Sequence, residues 1–265
     1  MQGIFIGLDT GTSKICAVGL DEGGRFVEMA SRPNDALVQG LPEGRYEQDP
    51  RVIRRACLEV LRELCSALGL RAKAVRAIGL TGQMHGGLLV DADREPLTNL
   101  VTWRDGRGGE KLDGRTVLEA FRDRVGRDHL ESSGSRPASG HLGVTLLHYL
   151  MTESLPEDAH RALCIHDWVA ARLAGSAAAT DASDAASTGL MNVRSGGWDL
   201  PTVEALKLPA ELLPPIRPAG EVLGKLDSEV ADATGLPVAA TVHVPLGDNQ
   251  ASVLAAVGDV QADLV

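Results

Sequence analysis

The sequence predicts an α/β fold in which a mixed sheet begins as an antiparallel meander and carries helices on both faces. Three short apolar runs, separated by turn residues, open the chain between residues 4 and 31. An amphipathic stretch follows, and further apolar runs then alternate with helical patterns. Aromatic residues make up only 3% of the chain, while small apolar residues abound, which suits helices packed closely on a sheet.

The first three apolar runs are predicted to be strands joined by tight turns. They cover residues 4–9, 14–20 and 26–31, and the second is followed by DEGGR, whose glycines tolerate positive φ. Turns this short join antiparallel neighbours. The sequence therefore predicts a three-stranded meander with a carboxylate, Asp9, at the end of its first strand.

A helix is predicted from Pro50 to residue 68. Asp49 can cap it, Pro50 suits the first helical position, and Gly69 can terminate it. Apolar residues recur at three- and four-residue spacing, which places them on one face of the helix. They are Val52, Ile53, Ala56, Val60, Leu61, Leu64 and Leu68.

The rest of the chain alternates strand and helix patterns. The order β-β-β-α-β-α, with a carboxylate at the end of the first strand, predicts the ribonuclease H-like fold of the actin and sugar kinase superfamily. The later predicted elements are a strand at 75–82, a strand ending in a polar loop at 100–108, helices near 117–125 and 144–151, a short strand leading into a helix at 164–175, a strand within 237–247, and a helix from about Asp248.

Composition restricts the classes of function. At 265 residues the chain can bury a large core, as one α/β domain or two smaller ones, and no flexible linker marks a boundary. The formal net charge is −10, whereas proteins that bind nucleic acids carry a basic surface, so we expect no nucleic-acid partner. There is no signal-peptide pattern and no apolar run long enough to span a bilayer, so we expect a soluble, cytoplasmic protein without a membrane partner. Reduced core thiols are expected at Cys16, Cys57, Cys65 and Cys164.

The segment DTGTS, residues 9–13, lies between the first two predicted strands. Gly11 lets the backbone approach a ligand, and the hydroxyls of Thr12 and Ser13 add donors. Successive N–H groups in such a turn favour phosphate oxygens, and Asp9 can hold Mg²⁺ directly or through water. The residues fit an ordinary hairpin turn equally well.

Two later loops carry side chains suited to a polyol. TGQMHGG ends the predicted strand at 75–82, and its glycines let Gln83, Met84 and His85 project where ligands bind in α/β sheets. In WRDGR, residues 103–107, an aromatic platform stands beside a charged pair. That loop suits a sugar, and it also suits a plain salt-bridged turn.

Asp248 stands between a predicted strand and a predicted helix. A carboxylate at a helix N-terminus is favoured by the helix dipole and by free N–H groups, so an N-cap is one interpretation. The other is a general base that takes the proton from an attacking hydroxyl during phosphoryl transfer. The residue pattern leaves both interpretations open.

Six segments between residue 4 and about residue 258 occur in an order that resembles the FGGY family of carbohydrate kinases. Within the family, GQMHG is similar to xylulokinases and sedoheptulokinases, and three other segments are similar to the sedoheptulokinase-like branch. The resemblance implies ATP-dependent phosphorylation of a primary hydroxyl on a sedoheptulose-like ketose. Xylulokinase is the next alternative, and a non-catalytic sugar- or partner-binding module is a third. The segments are GLDTGTSKICAV, GLTGQMHG, LVTWRDGRG, IHDWVAARLAG, TDASDAASTGLMNVRSGGWD and LGDNQASV.

The resemblance also implies roles for individual residues. Asp248 matches the catalytic base. Lys14 departs from the small residue that relatives often carry, and Gly108 departs from the cysteine of the sedoheptulokinase pattern. The loop that meets ATP comprises Asp9, Gly11, Thr12, Ser13 and Lys14, with Asp9 as the magnesium ligand. The implied substrate contacts are Gln83, Met84, His85, Trp103, Asp105, Asp167, Asp248 and Asn249.

The resemblance assigns residues 1–265 to the N-terminal, sugar-binding domain of a two-domain kinase. We therefore expect the C-terminal, nucleotide-binding domain to lie outside this chain, and the chain alone to be inactive. We also expect it to self-associate or to bind a separate C-terminal kinase domain.

Overall fold

The computed structural model describes residues 2–257, in which a central mixed sheet organises an α/β fold. The three strands predicted at the start of the chain are present. The strands are Ile4–Thr10 (β1), Lys14–Asp21 (β2), Phe26–Pro33 (β3), Glu47–Gln48 (β4), Val75–Gly82 (β5), Leu88–Val90 (β6), Leu100–Val101 (β7), Lys111–Leu112 (β8), Arg115–Thr116 (β9), Arg161–Leu163 (β10), Met191–Asn192 (β11), Gly197–Trp198 (β12), Val222–Lys225 (β13), Thr241–His243 (β14) and Leu246–Gly247 (β15).

The first helix confirms its sequence prediction at both ends. Asp49 accepts a hydrogen bond from the Arg51 N–H, and Gly69 ends the helix with its backbone N–H bonded back to Cys65 and Ser66. The helices are Pro50–Leu68 (α1), Val117–Val125 (α2), Arg127–Ser133 (α3), Leu142–Met151 (α4), Ile165–Ala174 (α5), Ala182–Ser187 (α6), Leu200–Leu206 (α7), Ser228–Thr234 (α8) and Asp248–Ala256 (α9).

Two predicted boundaries differ from the structure. α4 begins at Leu142 rather than Val144. The strand expected to start at Cys164 ends at Leu163, because Cys164 is already the extended N-cap of α5. In contrast, the strand ending in a polar loop that was predicted within 100–108 is present, with the strand at Leu100–Val101 and a turn after it.

The central sheet has the strand order β13-β14-β5-β1-β2-β3. β1, β2 and β3 pair antiparallel, which confirms the predicted meander. β5 pairs parallel with β1 on one side and with β14 on the other, and a parallel neighbour requires the crossover that α1 provides. β15 also pairs parallel with β5, at its carboxyl end.

The main hydrophobic core lies on one face of this sheet. Along β1, Ile4, Ile6 and Leu8 are buried while the alternate residues turn to the other face, as the two-residue period of a strand requires. α1, α5 and α8 cover the buried face, where Trp168 and Leu61 are among the fully buried side chains. Burial of each large apolar side chain stabilises the fold by about 1.5–3 kcal/mol.

The opposite face carries α9. Ala251 and Leu254 of this helix line a groove with Gly7 and Gly79 of the sheet. No α9 residue is buried, and Phe5 on the same face is 40% exposed. Helices thus lie on both faces, as predicted, but they pack closely on only one.

A second hydrophobic core lies outside the sheet, within residues 89–213. α2 contacts both α4 and α7, and Phe121, Leu146 and Leu206 are buried in this core. In residues 2–257, no helix combines the length and the apolar character needed to cross a bilayer. The four cysteines are free thiols, and burial raises the pKa of Cys57 to about 12, so its thiol stays protonated.

The strands β1, β5 and β15 run parallel and end side by side. Asp9 lies opposite Thr81, Thr10 opposite Gly82, and Gly247 opposite Gly82 on its other side. Ligands in α/β folds bind beyond the carboxyl ends of such strands. This edge brings together three of the loops in which the sequence analysis found candidate site residues.

Candidate active site

Two carboxylates lie near each other at this edge of the sheet. Burial raises the pKa of Asp9, and the negative charge of Asp248 raises it further. The charges of His166 and Lys14 oppose that rise. Neighbouring carboxylates repel each other and therefore favour a proton or a cation between them.

Asp9 fits the magnesium role that the resemblance implies. Its Oδ1 atom is buried and has no hydrogen-bond partner within residues 2–257. A buried carboxylate oxygen without a donor is costly, and Mg²⁺ binds through one or two carboxylates together with water and phosphate. The donor set at this position is therefore suited to Mg²⁺ held by Asp9, with the second carboxylate of Asp248 nearby.

The turn after Asp9 is closed tightly at Gly11. A Cβ atom at this position would lie 2.9 Å from the Lys14 carbonyl oxygen, too close for any side chain. Asn34 holds the turn from outside: its Nδ2 donates to the Gly11 carbonyl over 2.9 Å, and its N–H donates to the Ser13 carbonyl over 3.0 Å. The side chains of Ser13 and Lys14 are exposed. A fixed turn with exposed donors can receive a phosphate group.

Asp248 is the first residue of α9 and not its N-cap. Gly247 occupies the cap position and has no side chain to offer. Among the described residues, no hydrogen bond of the Asp248 carboxylate is present, and the residue is only half-buried. Its oxygens are thus free to accept a proton or a hydrogen bond from a hydroxyl.

The junction before Asp248 is packed against Met84, in the loop at residues 81–87. A Cβ atom at Gly247 would lie 2.6 Å from Sδ and Cε of Met84, so a larger residue there would require the Met84 side chain to move. The Gly247 N–H donates to Ser183 Oγ over 3.1 Å. Met84 and α6 together fix the backbone from which Asp248 projects.

A chain of hydrogen bonds joins the turn at residues 9–13 to the loops at residues 81–87 and 103–107. Trp103 Nε1 donates to Thr12 Oγ1 over 3.1 Å, and that hydroxyl donates to Gln83 Oε1 over 3.2 Å. Gln83 Nε2 donates to Gln48 Oε1 over 2.8 Å, and Gln48 Nε2 returns to the Thr12 carbonyl over 2.9 Å. Both ends of the Gln83 amide are engaged and the residue is 3% exposed, so it positions the two loops. The indole of Trp103, 50% exposed, keeps a free face for a sugar ring or chain.

His85 is held by contacts that sequence reasoning missed. Its backbone has φ 73°, and its N–H donates to Ser187 Oγ over 3.0 Å. Its ring stacks on His141 with centroids 4.7 Å apart, and Nδ1 lies 3.2 Å from the Ser187 carbonyl oxygen. Burial lowers the pKa of His141 to about 4, with the charge of His85 adding to the effect, so His141 is neutral near pH 7. The stack orients His85 as a hydrogen-bonding group.

The short helix α6 connects these parts. Ser183 near its start binds the Gly247 N–H, and Ser187 at its end binds His85. Asp181 caps the helix by accepting from the N–H groups of Ser183 and Asp184. The sequence places this stretch among the segments that resemble the kinase family but does not indicate these contacts, because the partners lie far away along the chain.

A buried polar cluster anchors α6 from behind. His166 Nε2 and Asp184 Oδ2 lie 2.5 Å apart, and both side chains are fully buried. Burial alone would lower the pKa of His166, but Asp184, Asp167 and Asp181 outweigh it and raise the pKa to about 9. A potential metal-ligand group is formed by His166, Asp167 and Asp184, whose ligand atoms lie within 4.8 Å of one another. The direct His166–Asp184 contact makes the imidazolium the cation that neutralises this cluster.

The substrate contact predicted for Asp105 needs correction. The residue is 1% exposed, and its oxygens accept from the Tyr46 N–H over 2.8 Å and from Arg107 Nε over 2.7 Å. Burial alone would raise the pKa of Asp105, but the hydrogen bonds and charge of Arg107 outweigh it and lower the pKa. Both oxygens are occupied, so the salt-bridged turn, the other interpretation of WRDGR, describes Asp105.

Asp167 also lies out of reach of a ligand at the strand ends. It is 1% exposed, and both of its oxygens are buried within the cluster around His166. Burial raises its pKa well above the usual range, with His166 opposing. Its predicted role as a substrate contact is therefore corrected to one within the supporting cluster. Asn249, in contrast, is exposed in the first turn of α9, beside Asp248.

A mixed sheet of this topology, with one carboxylate after its first strand and another at the last strand-to-helix junction, defines a domain of the actin and sugar kinase superfamily. Residues 4–255 match the profile described as "FGGY family of carbohydrate kinases, N-terminal domain". The chain belongs to this family of carbohydrate kinases.

Similar proteins include enzymes for several polyols. The xylulose kinase of Escherichia coli (strain K12) is 31% identical over 264 residues, which cover 98% of this chain and 51% of that enzyme. The glycerol kinase of Gloeobacter violaceus is 31% identical over 262 residues, covering 96% of this chain and 49% of that enzyme. The crystal structure of xylulose kinase from Rhodospirillum rubrum matches with a TM-score of 0.83 at 26% identity, covering 95% of this chain and 50% of that one. The chain thus spans about half the length of the relatives it matches.

Proposed function

We propose that this chain is the sugar-binding part of an ATP-dependent kinase that phosphorylates a primary hydroxyl of a ketose, with Asp248 as the general base. The observation that carries the proposal is the Asp248 carboxylate, which projects from a rigid junction with no hydrogen bond among the described residues. Asp9 lies close enough for the charge of Asp248 to raise its pKa, and Met84 packs directly against Gly247. A free carboxylate between a phosphate turn and a polyol loop suits phosphoryl transfer.

In the proposed reaction Asp248 accepts the proton of the sugar hydroxyl. The hydroxyl oxygen forms a bond to the γ-phosphorus of ATP, and the bond from that phosphorus to the bridging oxygen breaks, which releases ADP. A carboxylate suffices as the base, because positioning and charge neutralisation do most of the work in such transfers. The turn at Gly11–Ser13 would receive phosphate oxygens, and magnesium held at Asp9 would neutralise their charge.

The ketose would lie between His85 and Trp103, with its reacting hydroxyl toward Asp248. His85 supplies a hydrogen-bonding ring held by His141, and the exposed indole face supplies an apolar platform. The relatives include xylulose kinases and glycerol kinases, of which xylulose is the ketose, and the segments similar to sedoheptulokinases favour a longer ketose. A non-catalytic sugar-binding module would have no need of a free carboxylate at Asp248.

The matching profile describes only the N-terminal domain of the family, so we propose the complete reaction for a protein that contains this chain. ATP turnover requires the nucleotide and the sugar to be held together, commonly by closure of two parts of an enzyme. We therefore propose that this chain binds the sugar weakly and needs a nucleotide-binding domain for turnover.

Sugar binding tests the proposed substrate class. We expect D-xylulose and sedoheptulose to shift NMR signals of His85 and Met84 at about millimolar concentrations, and glycerol to bind at least about tenfold more weakly, because it leaves polar groups unpaired. His85→Ala should weaken both ketoses at least about tenfold. The matched control is His160→Ala, an exposed histidine that lies outside this site. Equal affinity for glycerol, or an unchanged His85→Ala variant, would overturn the substrate proposal.

A further inference from the structure

A second cavity shares no residue with the candidate active site. It lies between α2, α3 and the turn that joins β11 to β12, and its volume is about 730 Å³, within the range of sites for small molecules. Its wall includes arginines from four separate positions along the chain. They are Arg122 in α2, Arg127 in α3, Arg136 after α3 and Arg194 in the turn.

The acidic residues of the wall are already paired. Asp123 binds Arg115 over 2.7 Å, and Glu131 binds Arg127 over 2.7 Å. The chain as a whole carries a formal net charge of −10, so a group of unpaired guanidinium ions is a local departure from its charge balance. The cavity arginines without a carboxylate partner among residues 2–257 are Arg122, Arg136 and Arg194.

Two of these guanidinium groups are held in place by backbone oxygens. Arg122 Nη2 donates to the Pro137 carbonyl over 3.3 Å, and Arg194 Nε donates to the Ser132 carbonyl over 2.7 Å. Each bond uses one of the five donors of a guanidinium and leaves the others free. Both side chains are exposed, and a guanidinium that already makes one such bond has less conformational freedom to lose when it binds an anion.

We propose that this cavity binds the phosphate group of a small phosphorylated metabolite. Three free guanidinium groups from separate segments can surround one anion, and a phosphate ester offers three terminal oxygens to them. A carboxylate offers two oxygens, which one guanidinium fork already occupies. The remaining volume, beside Leu130 and the backbone of Gly126 and Gly134, accommodates a body the size of a sugar.

A segment that begins next to the cavity, at residues 137–141, extends to the candidate active site. Pro137, which accepts from a cavity arginine, begins a segment that packs on both polyol loops. Gly140 lies so close to Trp103 that a Cβ atom would be 1.9 Å from the Trp103 carbonyl oxygen, and His141 stacks on His85. A ligand that fixes this segment should change the affinity for the sugar, and the sugar should change the affinity for that ligand by the same factor. This coupling, unlike the binding itself, rests on the proposed function.

Calorimetry and NMR on the chain, in 0.15 M NaCl, test the site. The probes are glucose 6-phosphate, inorganic phosphate, citrate and neutral glucose. We expect saturable binding of glucose 6-phosphate with shifts at Gly134 and Ser135, weaker binding of inorganic phosphate and citrate, and none of glucose. Arg136→Gln and Arg194→Gln should each weaken glucose 6-phosphate about tenfold, since each removes charge-assisted hydrogen bonds.

The matched control is Arg124→Gln, which removes the same charge from the same helix as Arg122 but does not line the cavity. It should change the affinity less than twofold. The proposal is overturned if no phosphate probe binds below about 10 mM (near −3 kcal/mol), if Arg124→Gln weakens binding as much as Arg136→Gln, or if citrate binds more tightly than glucose 6-phosphate. These outcomes do not depend on sugar binding, so they separate this site from the proposed kinase activity.

Discussion

The turn that carries Asp105 and the junction that carries Asp248 present the same functional group in opposite states. Asp105 is buried and accepts hydrogen bonds from Arg107 and from the Tyr46 N–H. Asp248 is half-buried at the start of α9, and its carboxylate makes no hydrogen bond among the described residues. The sequence offered both aspartates as substrate contacts. Their surroundings decide that one carboxylate maintains the fold and that the other is available for chemistry.

The difference follows from what each residue can reach. The Arg107 guanidinium, two residues after Asp105, folds back on it and also binds Glu47 over 2.5 Å. Asp248 has apolar and amide neighbours in α9, and its preceding glycine has no side chain. A carboxylate without intramolecular donors remains free for a proton or a substrate hydroxyl, which is the requirement for a general base.

Asp105→Ala gives the largest expected effect on stability. Removing one partner of a buried ion pair typically costs about 3–5 kcal/mol, and the Glu47 contact that Arg107 keeps places this variant near the lower end. Urea unfolding of the chain measures the change. The control is Asp123→Ala, which removes the carboxylate of an exposed pair and should cost at most about 1 kcal/mol. Equal losses in the two variants would break the distinction between structural and available carboxylates.

The His166–Asp184 pair extends the comparison to the region behind the active site. The pKa of His166 is raised from 6.5 to about 9, so its contribution to stability is complete below pH 6.5 and is lost as the pH rises through about 9. That shift corresponds to a loss of up to about 3 kcal/mol. His166→Gln should remove this part of the pH dependence.

Urea unfolding at pH 6 and pH 9.5 measures this effect. The wild-type chain should lose more stability between the two pH values than His166→Gln does. His160→Gln, a change at an exposed histidine, should behave like the wild type. An identical pH dependence in wild type and His166→Gln would show that the buried histidine is not charged.

Local patterns were sufficient to predict much of the fold. The α1 helix and its ends follow from Asp49, Pro50 and Gly69, and the meander follows from short apolar runs joined by tight turns. Asp9 and Asp248 could be identified as candidates because each stands at the end of a strand pattern. In these cases the structural cause lies within a few residues of its effect.

Contacts between distant segments could not be predicted in this way. Gln48 binds both Thr12 and Gln83, and His141 stacks on His85. In each of these contacts the two residues are more than thirty positions apart in the sequence. Asp105 was ambiguous for a different reason, because its partner Arg107 was visible in the sequence but its burial was not. Whether a polar side chain is saturated depends on tertiary packing, and local spacing does not determine it.

Substitution of Asp248 by Asn separates the loss of a general base from the loss of substrate binding. In a two-domain protein that carries this chain, we expect kcat to fall at least about 100-fold, because the base is lost, while D-xylulose affinity stays within a few-fold. The free energy of unfolding should change by less than about 0.5 kcal/mol, since the carboxylate has no intramolecular partner among the described residues. Steady-state kinetics, calorimetry and urea unfolding on one preparation give all three values. A variant that keeps more than about a tenth of the wild-type rate would contradict the assignment of Asp248 as the general base.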